Sequence, residues 1–177
     1  MNDRLDTLSK IYYGKSPNDV ISSDGNVPIV GTGGIYGLAN TAMFESGIVV
    51  ARKGSLGTPH LFKTPFWPVD TTYTVVPCVD VDIDWLYYSL LNFDLTKLNE
   101  ATGVPSINRN WLAKVTFPNP GNQRQKKIAE ILTTIDSAIE KTEALIVKYQ
   151  QIKTGLLHDL FTRGVLPNGQ LRPPRSE

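Results

Sequence analysis

The stretch QRQKKIAEILTTIDSAIEKTEALIVKYQQIKTGLLHDLF, residues 123–161, decides how the chain is organised. It contains no proline, and its one glycine, Gly155, lies near its end. Apolar residues recur in it at the three- and four-residue spacing of one helix face over more than four heptads, and charged residues fill the other face. The spacing predicts a long amphipathic helix over 123–161. It begins after Pro120 and Gly121, where Asn122 can cap the first turn.

The length of this helix indicates what its apolar stripe does. At 1.5 Å per residue the helix is roughly 58 Å long, whereas a domain of ~120 residues has a radius of gyration of only about 13–14 Å. We therefore expect a helix–helix seam with a second chain, and the alternative is a surface helix packed along its own domain. The expected dimerisation positions are Ile128, Ile131, Leu132, Ile135, Ile139, Leu145, Ile146, Tyr149, Ile152 and Leu156.

Composition excludes several classes of protein. The single cysteine, Cys78, excludes a disulfide framework and a multi-cysteine metal site, and the two histidines are far apart in sequence. No apolar run has the length of a membrane span, and the N-terminus does not read as a signal peptide. We expect a cytoplasmic protein without a metal or a cofactor. The net charge of +1 does not by itself indicate a partner.

The rest of the chain reads as an α+β domain followed by the helix and a tail. Short β patterns run through residues 1–120, with one convincing helix at 82–100 that Asp84 caps. Many short strands with one or two helices predict a globular domain with a twisted or barrel-like sheet, and the long C-terminal helix is expected to form a coiled coil. We expect domain boundaries at 1–120, 121–161 and 162–177, the last being a linker-like tail.

No catalytic motif is complete in this sequence. Gly14-Lys15-Ser16 resembles the end of a phosphate-binding loop, but the glycine needed five positions earlier is Ser9. The glycine cluster at 31–37 has the wrong spacing for a dinucleotide-binding turn, and no helix pattern follows it. No Ser/His/acid set is placed by a recognisable motif. The chain is therefore predicted not to be an enzyme.

Polar residues on glycine-bounded loops remain as a contact surface. Side chains of these types read base edges and hold phosphates, although each one taken singly is more often an ordinary turn residue. The loop after the 47–51 strand and the loop 102–110 are the favoured ones, with Arg52, Lys53 and Arg109 as phosphate or guanine contacts. The candidate DNA-binding residues are Thr32, Tyr36, Arg52, Lys53, Ser55, His60, Lys63, Thr72, Tyr73, Ser106, Asn108 and Arg109.

Several stretches, taken together, resemble the specificity subunits of type I restriction-modification systems. The likeness covers nearly the whole chain, and it is strongest in the helical region. The stretches are LSKIYYGKSP (8–17), VPIVGTGGIYG (27–37), GIVVARKGSLG (47–57), PFWPVDTTYTVVP (65–77), TGVPSINRNWLAKVTFPNP (102–120) and the helical region 122–165. The tail PNGQLRP (167–173) resembles the segment that joins the first half of such a subunit to a second recognition domain.

The resemblance implies a non-catalytic DNA-recognition role. In that family each target-recognition domain reads one half of a bipartite double-stranded DNA sequence, and long helices space the halves and dock methyltransferase subunits. A separate restriction and motor subunit joins through the complex. The resemblance covers half of such a subunit, which implies a homodimer through 123–161, with the polar flank Arg124, Lys126, Lys127 and Glu130 available to methyltransferase subunits.

Two alternatives stay open beside this interpretation. One is an interaction protein, in which a coiled-coil dimer carries a globular head that binds another protein. The other is a regulatory fragment that binds methyltransferase subunits without competent DNA reading. Co-purification with a methyltransferase separates the family interpretation from the first alternative, and site-specific methylation separates it from the second.

Overall fold

The computed structural model of the chain describes residues 2–173. It divides into two compact units, one ending at Leu132 and one beginning at Thr133. The elements are β1 Asn2–Arg4, α1 Leu5–Leu8, β2 Ser9–Tyr13, β3 Val27–Gly31, β4 Gly34–Ala39, β5 Gly47–Ala51, β6 His60–Phe62, β7 Trp67–Pro68, β8 Thr72–Pro77, α2 Ile83–Asn92, a 3-10 turn Leu95–Leu98, α3 Arg109–Lys114, β9 Thr116–Pro118 and α4 Asn122–Arg163.

The first unit is built on three small sheets. Their strand orders are β1-β9, β2-β8-β5-β6 and β4-β3-β7. The four-stranded sheet is antiparallel, and β3 pairs antiparallel with β4 but parallel with β7. The α+β fold class and the long C-terminal helix are thus confirmed. The described strands do not close into a barrel, because they are divided among these three sheets.

The core lies against β5 and β8. All five residues of β5 are buried, as expected for a central strand with continuous apolar sequence. Ile48 and Val50 pack in one cluster with Leu86 and Leu90 of α2 and with Leu112 of α3. Burial of the apolar sides of α2 and α3 therefore fixes both helices over the sheet.

The predicted helix over 82–100 is shorter than expected. α2 ends at Asn92 because Phe93 adopts an extended conformation, and a separate 3-10 turn follows in which the Asp94 side chain accepts from the Thr96 amide. The capping residue is also different from the prediction. Asp82, and not Asp84, accepts a hydrogen bond from the Trp85 amide at 3.0 Å.

The first turn of α4 is held by polar contacts within the first unit. The Gly121 carbonyl accepts hydrogen bonds from the amides of Arg124 and Gln125, so Gly121 takes the capping position predicted for Asn122. The Asn122 side chain instead donates to the Asp80 carbonyl at 2.9 Å. The sequence pattern placed the helix correctly and misassigned its cap by one residue.

Gln125 is the buried polar residue of this turn, and only 1% of it is exposed. Its Oε1 accepts from the Asp82 amide at 2.9 Å, and its Nε2 donates to Asn119 Oδ1 at 2.8 Å. Asn119 Oδ1 also accepts from the Gly121 amide at 2.9 Å. One side chain therefore ties α4 to the loop before α2 and to the loop after β9.

The second unit contains the remainder of α4 and a short turn after it. Arg163 closes the helix by an ion pair with Asp159 at 3.4 Å and by a hydrogen bond to the Arg172 carbonyl at 2.7 Å. Val165 and Leu171 form an antiparallel bridge around Gly169. Residues 174–177 of the predicted tail lie outside the described residues, and the predicted domain boundaries stay predictions.

Candidate nucleic-acid interface

The two favoured loops lie side by side. The Ile107 amide donates to the Arg52 carbonyl at 2.9 Å, and the Gly54 amide donates to the Pro105 carbonyl at 2.9 Å. Lys53 and Ser106 form an antiparallel bridge between these two bonds. Residues 52–54 and residues 105–107, which are far apart in sequence, thus form one continuous surface at the end of β5. We call this surface, with the side chains around it, the loop surface.

The Tyr13 ring contacts two arginines of this loop surface. Its ring centroid is 5.4 Å from Cζ of Arg52 and 5.8 Å from Cζ of Arg109, and 48% of the residue is exposed. Both distances fall within the range of cation–π contacts. The aromatic ring therefore holds two guanidinium groups close together at the surface.

Backbone carbonyls fix both guanidinium groups. Arg52 Nη1 donates to the Asp70 carbonyl at 2.8 Å. Arg109 donates twice to the Ile11 carbonyl, from Nε at 3.2 Å and from Nη2 at 2.9 Å. A guanidinium carries five N–H donors, so each arginine retains donors that can bind phosphate oxygens or a guanine edge.

The tip of the β3–β4 hairpin lies beside this surface. His60 Nε2 is 3.4 Å from the Thr32 carbonyl, and a Cβ placed on Gly54 would be 3.7 Å from Thr32 Oγ1. Gly54 has φ +93°, which favours glycine.

Burial, with a smaller effect of Asp70, raises the pKa of Tyr36 above its ordinary value, so its phenol stays protonated at neutral pH.

Two predicted contact residues belong to the core. Thr72 is fully buried, and its hydroxyl donates to the Val69 carbonyl at 2.7 Å. Tyr73 is 2% exposed, and its hydroxyl donates to the Ile107 carbonyl at 3.0 Å. The two residues are neighbours on β8 and so point to opposite faces of the sheet, and both are buried because the first four residues of this central strand are buried on both faces. We leave both residues out of the loop surface because their polar atoms are satisfied inside the protein.

The remaining candidates differ in their surroundings. Asn108 Oδ1 accepts from the Asn110 amide at 2.8 Å, so its side chain caps α3. The Ser106 amide donates to Asn99 Oδ1 at 2.9 Å, whereas Ser55 and Lys53 are exposed. Lys63 forms an ion pair with Asp84 of α2 at 2.7 Å. The structure therefore groups most of the candidates on the loop surface and directs Lys63 to α2.

Sequence reasoning missed two exposed aromatic residues that lie near basic side chains. Tyr13 belongs to a tyrosine pair directly before Gly14-Lys15, which is an aromatic–basic combination. Trp111 on α3 is also 53% exposed, with Lys114 Nζ 5.3 Å from its ring centroid. Aromatic residues next to lysines were the signal that could have identified both.

Close packing of the backbone explains why position 14 is a glycine. A Cβ at this position would lie 2.0 Å from the Val69 carbonyl oxygen, and the Gly14 amide donates to the Thr72 carbonyl at 3.1 Å. The residue type is required because two backbone segments approach each other closely. Gly14-Lys15-Ser16 thus has a structural reason for its glycine.

The apolar stripe of α4 faces solvent in the single chain. Nine of the ten predicted dimerisation positions are exposed, from 39% at Ile128 to 66% at Tyr149, and Leu132 is half-buried. The polar flank is exposed at Arg124, Lys126 and Lys127.

The part of the chain that the structure describes contains no group of three or more His, Cys, Asp or Glu that could hold a metal ion. Within residues 2–173, no helix has both the length and the apolarity needed to cross a membrane.

Comparison with known proteins identifies relatives of the whole arrangement. Residues 3–149 match the family model described as type I restriction modification DNA specificity domain. The type I restriction enzyme MjaVIII specificity subunit of Methanocaldococcus jannaschii is 31% identical over 83 residues, which are 46% of this chain and 20% of that protein. The chain thus matches only a fraction of the length of this curated relative.

Solved structures share the fold. The S subunit of a type I restriction-modification system from M. genitalium matches with a TM-score of 0.73 and 21% identity, over 92% of this chain and 46% of that one. A chain from a structure on complex assembly and conformational transition of the type I R-M system matches with a TM-score of 0.70 and 16% identity, over 93% and 46%. A DNA specificity domain is a recognition module, which agrees with the prediction of a non-catalytic chain. The chain belongs to the family of type I restriction-modification DNA specificity domains.

Proposed function

We propose that the first unit reads one half of a bipartite double-stranded DNA target through the loop surface. The observation that carries this proposal is the placement of both the Arg52 and the Arg109 guanidinium groups within cation–π distance of the exposed Tyr13 ring, where two distant loops meet. Family membership supports it, because the matching domain is a DNA specificity domain. Lys53 and the His60–Thr32 contact extend the same surface.

The chemistry of the surface suits both parts of DNA recognition. Guanidinium groups fixed by backbone carbonyls lose little side-chain freedom when they bind, and each can form paired hydrogen bonds to guanine or phosphate. Lys53 is a mobile point charge that suits a phosphate. We assign Arg52 to base reading or a close phosphate contact, Lys53 to a phosphate contact, and Arg109 to positioning Tyr13 in addition to any DNA contact.

Arg52→Ala and Lys53→Ala in the reconstituted complex test the proposal. Loss of a base contact should weaken cognate binding by ~1–3 kcal/mol and relax one position of the target, whereas loss of a phosphate contact should weaken all sequences and lower the salt slope by about 1. Lys97→Ala is the matched control, since Lys97 is exposed and lies on the 3-10 turn. If both variants methylate and bind DNA as the control does, the assignment is wrong.

We propose further that two copies pair antiparallel through the apolar stripe of α4. The exposure of nine stripe residues supports this, since such a long apolar face needs a partner. A two-fold dimer presents two identical loop surfaces, so its target is a palindromic bipartite sequence. A helix of about 60 Å corresponds to a spacing between one and two turns of DNA.

Sedimentation tests this pairing directly. The charged double variant Ile135→Asp/Ile139→Asp should be monomeric where the unaltered chain is dimeric. The matched control is Gln150→Asp/Gln151→Asp, which adds the same charges at heptad positions outside the stripe. A stable monomer at high micromolar concentration for the unaltered chain, or equal association of both variants, contradicts the pairing.

The proposal includes the methyltransferase subunits as partners, and through the complex the restriction subunit. The polar flank of α4, at Arg124, Lys126, Lys127 and Glu130, is the proposed docking surface. Co-purification of a methyltransferase subunit that is lost in Arg124→Glu/Lys127→Glu supports it, and unchanged co-purification overturns this placement. A fragment that binds methyltransferase subunits without reading DNA is the second candidate, and absence of site-specific methylation by the complex would favour it. A cytoplasmic location stays a prediction from the sequence.

A further inference from the structure

Three apolar residues near the end of α4 lie beyond Leu156, the last predicted position of the seam. Leu157, Leu160 and Phe161, the C-terminal patch, are 45%, 42% and 86% exposed. With Ile128 as the first heptad position, Leu157 and Phe161 fall on the second and sixth positions, and Leu160 on the fifth. The second and sixth positions lie beside the seam and the fifth lies at its edge, so pairing of the stripes alone leaves Leu157 and Phe161 in water.

A groove of matching chemistry lies on the first unit. Its apolar lining consists of Trp85, Tyr88 and Leu91 of α2 and of Ile128 and Leu132 of α4, and Ser89 and Asn92 of α2 also line it. Leu91 is 43% exposed and Ile128 is 39% exposed. Ile128 and Leu132 also belong to the stripe, so the groove is continuous with the proposed dimer seam.

One of the antiparallel registers that the heptads allow brings the two features to one level. First positions face fourth positions in registers seven residues apart, and in the register in which Thr142 faces the partner's Leu145, Ile135 faces the partner's Ile152. The same register sets Ile128 level with the partner's Asp159. Residues 157–161 of the partner then lie level with residues 126–130, next to Ile128 in the groove.

The partner's Leu160 also lies on the side of the seam on which the groove lies. Fifth heptad positions of two antiparallel helices lie on the same side of their seam. Leu132 and the buried Gln125 occupy fifth positions, and α2 lies on this side, because Leu132 lines the groove with α2 residues. The partner's Leu160 occupies a fifth position too, so it faces the side on which α2 lies.

We propose that the C-terminal patch of a second copy docks into this groove, so that α2 of each chain clamps the end of the other chain's α4. The inference rests on the proposed antiparallel dimer and adds to it a second contact, formed twice by two-fold symmetry. Tryptophan and tyrosine side chains in a desolvated pocket, such as Trp85 and Tyr88 of the groove, are typical of residues that dominate binding energy. The clamp fixes the helix register and hence the separation of the two loop surfaces.

Cross-linking in a Cys78→Ser background tests the contact, because Cys78 is the one native cysteine and is exposed. Leu91→Cys chains mixed with Leu157→Cys chains should form a covalent heterodimer with a short bismaleimide. Leu91→Cys mixed with Val147→Cys is the control, since Val147 is exposed but lies outside both the seam and the patch. A Leu145→Cys/Thr142→Cys mixture reports the seam itself.

Dimer dissociation measured by sedimentation gives the second readout. Leu157→Ala/Phe161→Ala should raise the dissociation constant by about tenfold or more, whereas Val147→Ala should leave it unchanged. Seam cross-linking without groove cross-linking, or equal effects of the patch variant and the control, overturns the clamp and leaves the dimer standing. A monomer with no cross-linking at either place overturns the dimer and the clamp together.

Discussion

Replacing Gln125 by alanine tests whether one buried side-chain amide ties the first turn of α4 to the rest of the first unit. The change removes an acceptor from the Asp82 amide and a donor from Asn119 Oδ1, bonds of 2.9 and 2.8 Å at a side chain that is 1% exposed. Each net hydrogen bond contributes ~0.5–1.5 kcal/mol, and leaving a buried N–H without an acceptor adds ~1–3 kcal/mol. Gln125→Ala should therefore lower the free energy of unfolding by about 2–4 kcal/mol.

Urea denaturation followed by tryptophan fluorescence measures this loss in the right place. All three tryptophans lie in the first unit, at positions 67, 85 and 111. The midpoint should fall with an unchanged slope, because the surface exposed on unfolding stays the same. The control is Gln123→Ala, an exposed glutamine in the same helical turn, which should change stability by no more than about 0.5 kcal/mol. Equal midpoints for the two variants would refute the reasoning.

Three further predictions concern single side chains. Gly14→Ala should destabilise the chain by roughly 1–3 kcal/mol in urea denaturation, because the new Cβ would lie 2.0 Å from the Val69 carbonyl oxygen; unchanged stability contradicts the close approach. Thr74→Val should stabilise it by about 1 kcal/mol, because the buried Thr74 hydroxyl has no hydrogen-bond partner among residues 2–173; a loss of stability would show an acceptor. Burial, followed by the effect of Tyr13, raises the pKa of Tyr73 above 10.0, so the stability linked to its neutral phenol is present below pH 10 and lost as pH rises through the raised pKa. Tyr73→Phe should thus cost about 1 kcal/mol at neutral pH through the lost bond to Ile107, and pH titration should show this deficit shrinking in alkali.

Local patterns allowed the main elements to be predicted from the sequence. The heptad stripe predicted α4 to within two residues at each end, and the apolar run at 47–51 predicted β5 with the observed bounds. Both depend on periodicity within one segment, which a sequence displays directly. The capping residues were misassigned by one or two positions, because several acids or polar residues compete near each helix start.

Long-range pairing is what the sequence could not supply. The two loops chosen for DNA contact meet through bonds between Arg52 and Ile107 and between Gly54 and Pro105, which no local pattern encodes. The same limit hid the burial of Thr72 and Tyr73, because the sequence does not show that β8 lies between β2 and β5 with both of its faces buried. The contacts of Tyr13 with Arg52 and Arg109 join three segments that are far apart in sequence, so no local pattern predicts them.

Methylation-aware sequencing of DNA modified by the reconstituted complex tests the central claim most directly. The complex is to be reconstituted from this chain and the proposed methyltransferase subunits. We predict methylated adenines at one bipartite motif whose two halves are related by two-fold symmetry, with relaxed specificity at one position of each half in Arg52→Ala. Methylation without a motif, no methylation at all, or a motif with two unrelated halves would contradict the account.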